Sequence, residues 1–195
     1  MTWTATIAKH QWPAHMAAPP PRAALAQWED AACALFPTLK SSLLATAQDP
    51  TYHAEGDVWT HTVMVVDALL ADPAYAALTP TGRAIVFYAA LLHDIEKPST
   101  TRIDGDRIIA PGHSAKGAIS ARVALWEQGV PFVLREQVCQ LIQAHQVPFF
   151  AFSSRKGVSA EYAARQLSCD RSMRLLCMLA RADMTGRVCS DQQKV

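Results

Sequence analysis

The sequence predicts an all-α fold with one small β-hairpin near residues 101–109, and three observations carry that prediction. Apolar residues recur three and four positions apart in one segment after another, the spacing of a buried helix face. The longest apolar run, Ala84 to Leu92, suits a core helix and falls well short of the ~18 residues of a membrane span. Strand-like patterning is confined to residues 101–109, and the chain carries no internal repeat or low-complexity segment.

Residues 1–22 hold no periodic pattern and end in Pro19-Pro20-Pro21, so they read as an irregular N-terminal arm ahead of a domain at 23–195. From Ala23, the spacing of Leu25, Trp28, Ala32, Leu35 and Phe36 marks a helix stopped by Pro37. A second short helix runs to about Ala47, before Asp49-Pro50. Tyr52 to His61 is a polar connection into a helix that Asp57 can cap. There His61 shares the inward face with Met64, Val65, Ala68 and Leu69. Pro73 and Pro80 bracket a loop, and Thr81 caps the helix that ends in His93-Asp94, with Val86, Ala89 and Ala90 on the side of His93. In the hairpin, Asp104-Gly105 favours the positive φ of a tight turn. Ser114 caps a helix through Trp126, and another, Val133 to Ala144, finishes near His145 because Pro148 follows. Phe149, Phe150 and Phe152 form an aromatic patch, either core cover or pocket lining. Ser159 opens one helix and Arg171 the last, whose inner face of Leu175, Leu176 and Leu179 continues into Asp183 before Gly186 ends it.

Composition bounds the class. With 50% hydrophobic and 18% charged residues, the chain can bury one substantial core and no second complete domain. The N-terminus lacks a charged segment followed by an apolar one, so a cytoplasmic protein without a membrane partner is expected. Five scattered cysteines without a C-x-x-C pair argue for reduced thiols filling the core, against a disulfide framework or zinc ribbon. The net charge of +1 selects no partner, but residues 1–150 carry 10 Lys+Arg against 13 Asp+Glu and residues 151–195 carry 8 against 4. That asymmetry fits a phosphate-facing C-terminal side or simply solvated helix faces.

Buried imidazole and carboxylate groups cost roughly several kcal/mol unless paired or metal-bound. His61, His93-Asp94 and Asp183 are inward polar groups on three separate helices, and a metal ion is the partner that answers all of them. The order His, His-Asp, Asp resembles the signature of the HD phosphohydrolase superfamily over most of residues 50–190, with His113 and His145 between the second and last elements, as in members holding two metals. The segments His53-Ala54-Glu55-Gly56-Asp57-Val58 with His61-Thr62, Leu91 to Pro98, Gly112-His113 with Gly117-Ala118, and Ala182-Asp183 with Gly186-Arg187 look like the HD domain of bacterial CCA-adding tRNA nucleotidyltransferases. They also look like the HD module joined to a polynucleotide kinase domain in RNA end-healing proteins.

The resemblance implies an all-α HD-domain helical bundle and a metal-dependent 2′,3′-phosphoesterase. It implies His61, His93, Asp94 and Asp183 around one divalent transition ion (Mn, Fe, Co, Ni or Zn), with Asp94 bridging to a second held by His113 and His145. A metal-activated water would then attack phosphorus. Asp94 and Lys97 are the catalytic candidates, Lys97 neutralising the phosphate through the H-D-x-x-K pattern. His53 is a candidate donor to a leaving 2′-oxygen, and Lys116 and Arg187 are candidate substrate contacts beside ligands. RNA 3′ ends or nucleotides are the expected substrates. The runner-up is a phosphohydrolase of small nucleotides or dNTPs, and an alternative of another class is a catalytically silent module that binds RNA or a nucleotide. Neither a nucleotidyltransferase head nor a Gly-rich phosphate loop is present, so the chain reads as a stand-alone protein or an excised domain, and its end just beyond Asp183 favours excision; a polynucleotide kinase domain following it is one arrangement the resemblance implies. Glu96 stands where such proteins often carry Gly, where a carboxylate would alter metal preference or repel substrate.

Overall fold

The computed structural model describes residues 11–19, 27–151 and 159–189. Helices α1 (Trp28–Leu35), α2 (Leu39–Leu44), α3 (Val58–Ala71), α4 (Pro73–Ala76), α5 (Pro80–Leu92) and α6 (Lys97–Thr100) precede a hairpin of β1 (Arg102–Asp104) and β2 (Arg107–Ile109). Helices α7 (His113–Glu127), α8 (Phe132–Ala144), α9 (Val147–Ala151), α10 (Ala160–Ser168) and α11 (Met173–Thr185) follow it. The all-α expectation holds, and so does the hairpin: the strands pair antiparallel with Asp104 opposite Arg107, and Gly105 closes the turn at φ 60°, the conformation that only glycine adopts without strain.

Helix α5 is the central element. Every residue from Ala84 to Leu92 is buried, which a helix reaches only when it is covered on all sides. Helices α3, α8 and α11 lie against it, and α7 packs on α8. At about 1.5–3 kcal/mol for each large apolar side chain removed from water, this packing pins the α5 C-terminus more firmly than any capping interaction would. Helix α3 starts at Asp57, whose carboxylate accepts from the Thr60 N–H at 2.8 Å. Its buried stripe of His61, Val65 and Leu69 extends toward Thr62, Val66 and Leu70, leaving the expected inward residues Met64 and Ala68 half-buried.

Helix starts differ from expectation in three places. Thr79, not Thr81, caps α5, its hydroxyl accepting from Gly82 N–H at 3.1 Å, because Pro80 takes the first helical position, where its missing N–H costs nothing. Pro73 likewise opens α4, capped by Asp72, inside what the sequence reads as a loop. Gly112, not Ser114, is the cap residue of α7, in left-handed conformation at φ 75°; Ser114 Oγ instead donates to Gln146 at 3.3 Å. The segment read as an irregular arm contains, at Ala14–Met16, a 3-10 turn that puts Met16 in the core, while Trp12 stacks on Tyr88 with centroids 5.2 Å apart. The start of the first helix at Ala23 lies outside the described residues, as do Phe152 and the side chain of Phe150.

Past α11 the chain runs hard against α3. A Cβ on Gly186 would lie 2.6 Å from the backbone N and Cα of Val65, so this glycine is demanded by close approach, not merely by helix termination. Cys33, Cys139, Cys169 and Cys177 are unbridged thiols, but Cys139 alone among them is core filler; Cys169 and Cys177 are exposed and Cys33 is half-buried. Among the described residues no helix is long and apolar enough to cross a membrane.

Candidate metal centre

Helix ends converge at one point. The C-terminus of α5 supplies His93 and Asp94, the first turn of α3 supplies His61, and the last turn of α11 supplies Asp183. The first residue of α7 is His113, and His145 caps α8. All six side chains are buried. Asp94 is the hub: His93 Nε2 lies 3.0 Å from its Oδ2 and His61 Nε2 3.8 Å, while His113 Nε2 lies 3.3 Å from its Oδ1. His61 Nε2 is also 3.1 Å from Asp183 Oδ1. Potential ligand atoms of His61, His93 and Asp183 fall within 4.8 Å of one another, and so do those of Asp94, His113 and His145.

The imidazoles are aimed from behind. Nδ1 of His93, His113 and His145 lies 2.7, 2.6 and 2.7 Å from the carbonyl oxygens of Ala90, Ala110 and Ile142. A carbonyl only accepts, so Nδ1 carries the proton and the Nε2 lone pair points inward, the arrangement that second-shell acceptors impose on metal-binding histidines. Nε2 of His93 and His113 and both oxygens of Asp94 are buried and lack a hydrogen bond of good geometry. Lys97 pairs with Asp94 Oδ2 at 2.8 Å, but the other acceptors left without a partner cost on the order of 1–3 kcal/mol for each group. A cation removes that cost, and a nitrogen-and-oxygen donor set without thiolate suits a divalent transition ion. The residues present fit such a group.

Burial, the largest influence on Asp94, would raise its pKa, yet the attraction of the facing His93 and of Lys97 outweighs it and holds the carboxyl well below its usual range. The same contest, won by the hydrogen bond from His61, holds Asp183 low. His61 itself is raised despite its burial, because Asp183 and Glu55 flank its two nitrogens. His145 goes the other way: burial, seconded by His93, pushes it down to about 4, so it stays a neutral imidazole at any ordinary pH.

The remaining candidates divide. Lys97 is buried, with Nζ 2.8 Å from Asp94 Oδ2 and 2.6 Å from Gln48 Oε1. With His53, it lines a cavity of about 770 Å³ that has Asp94, His113, His145 and Asp183 at its floor. Arg187 also lines this cavity, its guanidinium 5.9 Å from the Phe149 ring centroid and donating to Met184 Sδ at 2.7 Å. Lys116 is not brought in: its Nζ donates to Ser99 at 2.7 Å and pairs with Glu96 at 3.1 Å on the outer side. Glu96 is engaged there too, accepting from Ser99 and Ser120. Its carboxylate therefore ties α6 to α7 and does not face the cavity, which removes the reason to expect it to repel a phosphate. Of the other basic residues in the described C-terminal part, Arg165, Arg171 and Arg181 pair with Glu161, Asp170 and Asp72 on helix surfaces, and none of the three lines the cavity.

Two residues that hold the cluster in place carry little sequence signal. Glu55 holds the histidines of the first ligand segment: its Oε1 lies 2.8 Å from His53 Nδ1 and 2.9 Å from His61 Nδ1, and its Oε2 accepts from the Val188 N–H at 2.8 Å. Gln48 positions Lys97 and donates to the Asp57 carbonyl at 3.1 Å. Both sit in irregular segments, where no periodicity tells which side chains turn inward; only the crowding of His53 and Glu55 ahead of His61 hints at the first.

No protein-family model matches the chain, and no solved structure matches it. Among curated proteins, the "Multifunctional CCA protein" of Halorhodospira halophila (strain DSM 244 / SL1) is 30% identical over 120 residues, which are 62% of this chain and 26% of that protein. The matched stretch thus spans about a quarter of that relative's length. The chain is similar to part of a CCA protein, and it buries a His/Asp cluster able to hold metal.

Proposed function

We propose that this chain is a metal-dependent phosphoesterase hydrolysing 2′,3′-cyclic phosphate and 2′- or 3′-phosphate ends of RNA or nucleotides. The observation that supports it best is the pair of buried triads packed around Asp94, four of whose residues, Asp94, His113, His145 and Asp183, line the cavity. His61, His93, Asp94 and Asp183 would hold one divalent ion, and His113 and His145 a second, with Asp94 between them. Bound ions of this kind stabilise charge on phosphoryl oxygens and acidify water.

The chain's own groups do the rest. Asp94 and Asp183 remain ionised because the surrounding cations hold their pKa values low. Lys97 offsets the Asp94 charge from the cavity side, so an incoming phosphate meets a floor that is not net repulsive. Burial holds the His53 pKa below its usual value, and its Nδ1 faces Glu55. A neutral imidazole accepts a proton before it gives one, so His53 takes the proton shed by water and returns it to the leaving 2′-oxygen. The similarity to part of a CCA protein supports placing the substrate among nucleic-acid ends.

The test is hydrolysis by metal-loaded protein of three substrates: an oligonucleotide with a cyclic-phosphate end, 2′,3′-cyclic mononucleotides and dNTPs. Opening of the cyclic esters, lost in Asp94→Asn, supports the proposal. Turnover confined to dNTPs would replace it with a nucleotide phosphohydrolase, and inertness with every transition metal would leave a binding module.

A further inference from the structure

The cavity changes character from floor to rim. Its floor is Asp94, His113, His145 and Asp183, all buried, whereas its rim on the hairpin side is Tyr52 and Arg107. The Arg107 side chain is 57% exposed, and Tyr52 as a residue is 37% exposed. Arg107 is nevertheless not a loose surface cation. Its guanidinium carbon sits 5.1 Å from the Tyr52 ring centroid, and its Nε lies 3.4 Å from Asp49 Oδ2. Asp49 is itself fixed, its other oxygen accepting from the Thr51 N–H at 3.0 Å. Held at Nε and on the Tyr52 side, the guanidinium has its two terminal nitrogens without a hydrogen bond among the described residues.

A prepositioned planar cation loses little freedom on binding, and its fork matches two oxygens of a phosphate. Its place on the rim, and not at the floor, means that it does not meet the reacting phosphate, which the buried cluster and Lys97 would receive. We infer that Tyr52, Asp49 and Arg107 form a second anion subsite, for a phosphodiester upstream of the reacting end, so that the site is shaped for a single-stranded polynucleotide over a free mononucleotide. This rests on the phosphoesterase reading for the identity of the floor.

Binding without turnover separates the two ideas. A labelled RNA of about five nucleotides with a 3′-phosphate, and a nucleoside 3′-monophosphate as competitor, are titrated against metal-free protein over a range of salt. Each phosphate neutralised contributes about 0.7 to the slope of log affinity against log salt for single strands. Arg107→Ala is expected to weaken the oligonucleotide equally for A-rich and U-rich sequences and to lower its slope by about that amount. Competition by the monophosphate, which has no upstream phosphodiester, keeps the wild-type slope. Tyr52→Ala, which removes the prop but not the charge, keeps the slope and weakens binding. An unchanged slope in Arg107→Ala overturns the subsite, whatever the hydrolysis assay gives, as does a loss confined to thermal stability, which would make the pair a brace between hairpin and loop. A slope change in a protein that hydrolyses no phosphate end would leave the subsite standing and sink the phosphoesterase.

Discussion

The sharpest test of the centre compares Asp94→Asn with His145→Ala. The amide preserves the shape of the hub and removes its charge from both clusters at once, since Oδ2 faces His93 and His61 while Oδ1 faces His113. His145 belongs to one cluster only. A ligand at 100 times its dissociation constant stabilises a fold by about 2.7 kcal/mol for each site, and for a chain of this size 1 kcal/mol moves Tm by about 2–4 °C. Two occupied sites should therefore raise the wild-type Tm by roughly 10–20 °C, His145→Ala by about half of that, and Asp94→Asn by almost nothing. Without metal, Asp94→Asn carries its own penalty of about 3 kcal/mol, because the buried Lys97 ammonium is left with Gln48 as its neutral partner. The measurement is thermal denaturation with and without Mn, Co, Ni or Zn, paired with bound-metal content. A metal-dependent shift in Asp94→Asn as large as in wild type would refute the hub, and equal loss of both ions in His145→Ala would refute the division into two clusters.

Three further outcomes are expected. Glu55→Ala should cost about 10–100-fold in affinity for the ion held by His61, read by metal titration, because the carboxylate that orients both His53 and His61 is gone; affinity equal to wild type would reduce Glu55 to a loop anchor. Gly186→Ala should lower stability by about 1–3 kcal/mol, since the new methyl meets the α3 backbone and not a side chain that can turn away; an unshifted melting curve would contradict that close approach. Because the pKa of His61 is raised, the stabilisation it contributes in metal-free protein is complete below its unfolded value of about 6.5 and lost as pH rises through the folded one. Metal binding near neutral pH should accordingly displace a proton from Nε2, seen as a dependence of the calorimetric heat on buffer ionisation, and heats identical in every buffer would contradict a protonated His61.

Much of this centre is legible in the chain, and the reason is physical. His61 and Asp183 fall on helical stripes otherwise made of Val65, Leu69, Leu175 and Leu179, and a costly group on an apolar stripe announces a partner. His113 and His145 have no such stripe: one opens α7, the other closes α8, and only the likeness to a known ligand order brings them in. Helix starts were harder, since Thr79 and Thr81, or Gly112 and Ser114, are equally plausible from composition, and the proline or the left-handed glycine decides between them in context. What periodicity misses altogether is Glu55, Gln48 and the direction of Glu96, because side chains in turns follow backbone geometry that no repeat encodes. The outward turn of Glu96 into Ser99, Ser120 and Lys116 also shows why a residue's neighbours in sequence say little about its neighbours in space.

The position of the candidate ligands at helix ends has a structural cause. A carbonyl inside an α-helix is already bonded four residues ahead, whereas those in the last turn have no such partner. His93 and His145 each follow a helix C-terminus by one residue and use the carbonyl three positions back, at Ala90 and Ile142, as the acceptor for Nδ1. His113 reaches the same geometry from the other direction, through Ala110 in the loop that Gly112 turns into α7. One backbone device thus fixes the tautomer and aims Nε2 inward, with no additional side chain; at Ile142 and Ala110 the same carbonyl also takes the histidine's own backbone N–H, at 3.5 Å. Its demand is positional: the end of each helix must stay where the core puts it. That makes the burial of α5 on every side more than a source of stability, for a shift of its last turn would move Ala90, His93 and Asp94 together and misdirect the hub on which both clusters depend.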